Sequence, residues 1–148
     1  MLVNLNPLAV LVGKLAKLQT FAETSADKTI EDKKKEIIEM NKEQLLEGFD
    51  SEGDALGEYT AYNKTLRREK GLQIKHIDLK DTGDFQRSIN LKKKKTNEWD
   101  FDATDWKWED ELKPRWPDAL GLGDVAVAET EIMIAKQMAT DIYNNLKP

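Results

Sequence analysis

Residues 85–105, "FQRSINLKKKKTNEWDFDATD", decide the fold. The apolar residues sit at odd positions on both sides of a basic run: Phe85, Ile89 and Leu91 before it, then Trp99, Phe101 and Ala103 after it. Odd must face odd if two antiparallel strands share one buried face, so the connecting loop needs an odd number of residues. A three-residue loop, Lys95-Thr96-Asn97, with Asn97 in the left-handed region, meets that requirement. The register then pairs Leu91 with Phe101 and Ile89 with Ala103 on the core side. Arg87 falls opposite Asp105 at the edge of that face. On the outer side Lys94 meets Glu98 and Lys92 meets Asp100, each opposite-charge pair contributing about 0.2–1 kcal/mol. A two-residue loop would set Leu91 against Asp102 and lose this agreement. The run 92–95 therefore reads as half of a charge-matched hairpin, not as a phosphate-binding patch.

Immediately upstream lies Asp81-Thr82-Gly83, the triplet that carries the catalytic carboxylate in retroviral-type aspartic proteases. Such chemistry needs two carboxylates about 3 Å apart sharing a proton, so a chain with one copy must dimerise across the site. Lys80 stands where an apolar strand residue normally buries that site, and Asp84 and Arg87 stand where small residues are usual. Long helices at both ends do not suit an all-β protease. The conformational reading is simpler. Leu72, Ile74, Ile77 and Leu79 suggest a short extended segment entering a tight turn. There Gly83 supplies φ > 0 and Asp81 hydrogen-bonds downstream amides.

Downstream of Asp105 the alternation slips phase at Trp106 and Trp108, which predicts a bulge or a strand end. The segment "DWKWEDELKPRWPDALGLG", residues 105–123, holds three of the four tryptophans. Trp106, Trp108 and Trp116, with Trp99, either cap the edge of the core or form an interface, where Trp is enriched. Asp124 is an N-cap for a last helix whose stripe is Val125, Ala128, Ile132, Ala135, Ala139, Ile142 and Leu146. A helix of about 23 residues is roughly 35 Å long, so part of it is expected to pack on another chain or on the N-terminal helix.

At the N-terminal end Asn6-Pro7 is an N-cap and N1 pair, followed by Leu8, Leu11, Val12, Leu15 and Leu18 at helical spacing. Gly13 weakens this helix by about 1 kcal/mol without ending it. A second helix is expected from Ala26 to Glu47, with a stripe of Ile30, Ile37, Ile38, Asn41 and Leu45 and with Gly48 closing it. The charge run 32–36 lies on its solvated face. Residues 48–59 are turn-rich, and their glycine spacing does not match a calcium loop. A short helix, Thr60 to Lys70, ends at Gly71. Together these predict one α+β domain over 1–148: long N-terminal helices, a central antiparallel hairpin and a long C-terminal helix packed on it. Residues 1–24 form an apolar helix suited to act as an interaction arm. Leu8, Leu11, Leu15, Ile132 and Ile142 join the tryptophans as candidate interface residues.

The chain has 148 residues, 39% hydrophobic and 34% charged, with a net charge of −5 and interleaved signs. That gives no reason to expect sequence-specific nucleic-acid binding. No cysteine is present, which excludes a disulfide framework and a thiolate nucleophile, and the single histidine, His76, excludes His-rich metal sites. No cofactor is expected. The apolar start lacks a basic leader and is interrupted by Lys14 and Lys17, and no run approaches the roughly 18–20 residues of a membrane span. A soluble, intracellular protein, or part of a particle assembled inside a cell, is the expectation.

Thr82-Gly83-x-Phe85-x-x-Ser88-Ile89 resembles the Thr-Gly-x-Leu-x-x-Ser-Ile signature of tail-component and head–tail joining proteins of tailed bacteriophages. The order of elements is similar too, and "NKEQLLEGFDSEGDALGEYTAY", residues 41–62, resembles proteins of phages and prophages from the Bacteroides group, which share the fuller form Asp81-Thr82-Gly83-Asp84-Phe85. Phe85 replaces the usual Leu, and the apolar N-terminal helix and Trp-rich connection are additions. The resemblance implies a virion protein, assembled in the bacterial host cytoplasm, that catalyses nothing. It implies a homo-oligomeric ring at the neck (head–tail connector) or tail, contacting portal, neck or tail subunits, with no membrane. The alternatives are a dimeric retropepsin-like protease using Asp81 and a small non-virion adaptor.

Overall fold

A computed structural model describes the backbone of residues 6–146 and the side chains of residues 9–145; Leu8 and Leu146 therefore lie outside the described side chains. Helix α1 runs from Asn6 to Leu46, α2 from Ala61 to Glu69 and α3 from Asp84 to Ser88; strands β1 (Ile89–Lys95) and β2 (Glu98–Ala103) form one two-stranded sheet; and α4 runs from Asp124 to Leu146. Between β2 and α4 a π-helical turn spans Trp108–Leu112. The fold is α+β, with long helices at both ends of a central antiparallel hairpin.

The expected pair of N-terminal helices is one helix of 41 residues. The hydroxyl residues between them do not cap a second helix. Thr24 Oγ1 instead donates to the Thr20 and Phe21 carbonyls, and Thr29 Oγ1 donates to the Ser25 carbonyl at 2.8 Å. With these hydroxyls bonded back along the helix and that of Ser25 donated to Asp141, none is left to start a new one. The end at Gly48 is as expected: its φ is +90°, its amide bonds the Leu45 carbonyl, and the Phe49 amide bonds the Gln44 carbonyl, the paired closure of a Schellman motif.

The hairpin register pairs Ile89 with Ala103, Leu91 with Phe101 and Lys92 with Asp100, and Asn97 has φ 57°. Two expectations at its ends are corrected. At the tip, Lys95 pairs with Glu98 and the bulge falls at Lys94. Two of the ion pairs run diagonally, Lys92 to Asp102 at 2.7 Å and Lys94 to Asp100 at 3.7 Å, while Lys95 meets the opposite Glu98 at 2.9 Å. At the root, β1 begins at Ile89 and not at Phe85. Gly83, at φ 87°, starts the helical turn α3, so Arg87 points back to the Asp84 carboxylate and the Thr82 carbonyl instead of facing Asp105. The segment 72–79 forms no strand; the Ile77 amide bonds the Gly57 carbonyl and Leu79 takes φ 55°.

The core comprises Leu45, Leu56, Ile77, Phe85, Ile89, Ala103, Trp108 and Ala119. It sits where the C-terminal end of α1, the root of the hairpin and the connection to α4 converge. Asn41, completely buried, bridges this junction by donating to the Ala119 and Gly121 carbonyls, while Gln44 accepts from the Gly123 amide at 2.7 Å.

Helix α4 packs along α1 in antiparallel fashion. Ser25 donates to Asp141 at 2.6 Å near one end, and Thr130 contacts Met40 toward the other. The face turned toward α1 carries Ala126, Thr130, Ile134 and Met138, whereas Val125, Ala128, Ile132, Ala135 and Ala139 are exposed. Apolar residues occur on both sides of α4, so spacing alone did not select the buried side. Ile142 is the member of the sequence-derived stripe that is half-buried.

Candidate functional site

The turn at Asp81-Thr82-Gly83 is built as a joint. Thr82 Oγ1 donates to the Asp84 carboxylate at 2.6 Å, Gly83 is buried in the left-handed region, and the Arg87 amide closes on the Gly83 carbonyl. Beyond it Phe85 stacks on Trp108 with ring centroids 5.8 Å apart. Ser88 donates to the Phe85 carbonyl and Ile89 is buried. Each residue of the motif thus has a conformational or packing role. Asp81 itself is exposed and meets Lys70 at 2.6 Å. The hydrogen bond from Lys70 holds its carboxyl below the ordinary carboxylate range. It does not bond the amides downstream of it; Lys70 takes that place. An aspartic pair needs one acid kept protonated by its surroundings, and this carboxyl is pushed the other way.

The turn is anchored from beneath by a buried ion pair that spacing and motif gave no means of finding. Asp78 is 2% exposed, and its carboxylate receives Arg67 Nη2 at 3.1 and 3.2 Å. It also receives the Tyr59 hydroxyl at 2.8 Å, Gln73 Nε2 at 2.7 Å and the Lys80 amide at 2.9 Å. Arg67 is equally well satisfied: Nε donates to the Gln73 carbonyl, Nη1 donates to the Lys80 carbonyl, and the guanidinium lies 4.1 Å over the Tyr59 ring. Burial, with the Asp78 charge adding to it, pushes the Tyr59 phenol up to about 12. Carboxylate and guanidinium are saturated by protein groups, so the cluster fixes α2 to the approach of the turn and presents no free acid or base.

The four tryptophans separate. Trp108 is buried in the core. Trp116 Nε1 donates to the Leu56 carbonyl at 2.9 Å, and Arg115 stacks 4.6 Å over its ring. Trp99 Nε1 donates to Asp27 at 2.8 Å, and Asp27 also accepts from the Asn97 amide and pairs with Lys93 at 2.7 Å. Burial works against the charge of Asp27, but these bonds outweigh it and hold its carboxyl below the usual value. Trp106 alone among the four is largely exposed, at 63%.

Of the other candidate interface residues, Leu11, Leu15 and Ile132 fall on two separate open faces, while Ile142 is half-buried. Leu11 and Leu15 lie with Val10 and Val12 on the first turns of α1, each more than half exposed. Ile132, 55% exposed, lies on the outer side of α4. Asn41 was visible in the sequence as the polar member of an apolar stripe; Asp27, Arg67 and Asp78 had no such signal. Among the described residues no group of acids or histidine is placed to hold a metal ion, and no helix is long and apolar enough to cross a membrane. No known protein family, curated protein or solved structure matches the chain.

Proposed function

We propose that this chain is a structural protein of a tailed-phage or prophage virion, acting at the head–tail junction or in the tail as a homo-oligomeric ring that contacts portal, neck or tail subunits. It catalyses nothing in this reading. The observation that carries it is the construction of the Thr-Gly-x-Phe-x-x-Ser-Ile segment. Gly83 sets a bend, Phe85 and Ile89 enter the core, and the Arg67–Asp78 pair clamps the approach. The motif that resembles head–tail joining proteins serves architecture here, while apolar surface on α1 and α4 is left open for neighbours. The decisive experiment is mass spectrometry of particles purified from a lysate of the host carrying this reading frame. The chain is expected in intact virions, and disrupting the frame is expected to leave heads and tails unjoined. Its absence from purified particles, with normal particles after disruption, overturns the reading. A pepstatin-sensitive peptidase activity that Asp81→Asn removes would replace it with the protease.

A further inference from the structure

Two open surfaces of the chain are apolar, opposite in charge and far apart. The first is the start of α1. Asn145, near the end of α4, lies beside Phe21, so residues 9–17 run on past α4 with Leu11 and Leu15 exposed. No acid occurs before Glu23, and Lys14 and Lys17 flank the leucine stripe on one side. The second surface is a groove of about 490 Å³ between the last turns of α1, the loop after it and the start of α4. Its apolar part is Met40, Phe49, Ala126 and Val125, the last 76% exposed. Six acidic residues line it, Glu43, Glu47 and Glu129 among them, and no basic one does.

Leu15 and Glu43 belong to the same unbroken helix, which places them about 42 Å apart at 1.5 Å per residue. The arm therefore cannot fold back into its own groove. We propose that residues 9–18 of one copy dock in the acidic groove of a second copy. Leu11 and Leu15 lie against Phe49 and Val125, and Lys14 and Lys17 face Glu43, Glu47 and Glu129. The two surfaces differ, so the contact is head-to-tail. It gives a ring where the rotation closes and a filament where it does not. An amphipathic helix in an apolar groove supplies the affinity, and the charges set register and partner choice. This inference rests on the self-assembly part of the reading above and names its interface.

Sedimentation velocity and native mass on the full chain test it. The wild type is expected to sediment as an assembly that shrinks with rising salt. Lys14→Glu/Lys17→Glu and Glu43→Lys/Glu129→Lys are each expected to lose the assembled peak while keeping the wild-type circular dichroism and melting midpoint. An equimolar mixture is expected to regain that peak, because each variant then offers the charge the other lacks. Assembly of either double variant alone, at wild-type strength, overturns this interface and leaves the ring reading standing. A wild type that stays monomeric overturns both. The absence of native cysteine permits a second readout. Leu15→Cys and Val125→Cys chains are expected to form a disulfide dimer when oxidised together and not separately. Efficient dimerisation of Leu15→Cys alone shows an arm-to-arm contact and overturns the head-to-tail arrangement.

Discussion

Truncating Arg67 leaves the Asp78 carboxylate buried without its counter-charge, while its remaining donors, Tyr59, Gln73 and the Lys80 amide, cannot neutralise it. Arg67→Met is expected to lower unfolding free energy by about 3–5 kcal/mol, the usual penalty for orphaning one member of a buried pair. Urea denaturation measures this. Arg67→Met combined with Asp78→Leu is expected to recover part of the loss, since removing both charges removes the unpaired one. The same change at the exposed Lys70–Asp81 pair is worth at most about 1 kcal/mol. The acid that looked catalytic in the sequence is thus a minor contributor, and the acid three residues earlier is the one on which the turn depends.

Among the elements, the hairpin was the most legible. The expected three-residue loop is a two-residue turn, with the odd residue taken up by the bulge at Lys94. Period-two alternation was still enough to pair Leu91 with Phe101 and Ile89 with Ala103, because a one-residue slip would turn every apolar side chain outward. Its tip is held to α1 by Asp27. Since the folded carboxyl of Asp27 titrates below its ordinary value, its stabilisation is present above the unfolded value near 4 and is lost as pH falls through the lower folded value. The Trp99 indole N–H resonance is expected to shift and exchange faster as pH drops from about 5 toward 3, and Asp27→Asn is expected to remove that dependence. The continuity of α1 was not legible, because Thr and Ser offer the same hydroxyl to a cap or to a carbonyl one turn back. Nor was the buried side of α4, where apolar residues occur both at exposed positions such as Val125 and Ile132 and at half-buried ones such as Ala126 and Ile134. Within α1, Gly13 has nothing within 4 Å of the place a Cβ would occupy. Gly13→Ala is expected to raise the hydrogen-exchange protection of the arm by about 0.5–1 kcal/mol.

On the scale of the whole molecule, packing is uneven. Among the described residues the buried hydrophobic ones begin at Ile37 along the sequence, and residues 9–17 of α1 contribute nothing to them. Removing residues 1–17 is therefore expected to leave the thermal midpoint of the remainder within about 2 °C, a shift corresponding to well under 1 kcal/mol. Calorimetry checks that value. The same truncation is expected to abolish self-assembly in sedimentation. The Arg67–Asp78 pair could not be read from the sequence for a related reason: its partners are 11 positions apart in polar segments, and only the closed fold brings them together.

An uninterrupted α1 makes the azimuth of the arm a function of residue count. One residue inserted between the arm and Ser25 turns Leu11 and Leu15 by about 100° and advances them by only about 1.5 Å. Seven inserted residues restore their direction to within about 20° and lengthen the spacing by about 10 Å. Single-residue insertions are therefore expected to stop assembly. A heptad insertion is expected to preserve it with a larger repeat distance between neighbouring copies, visible by electron microscopy.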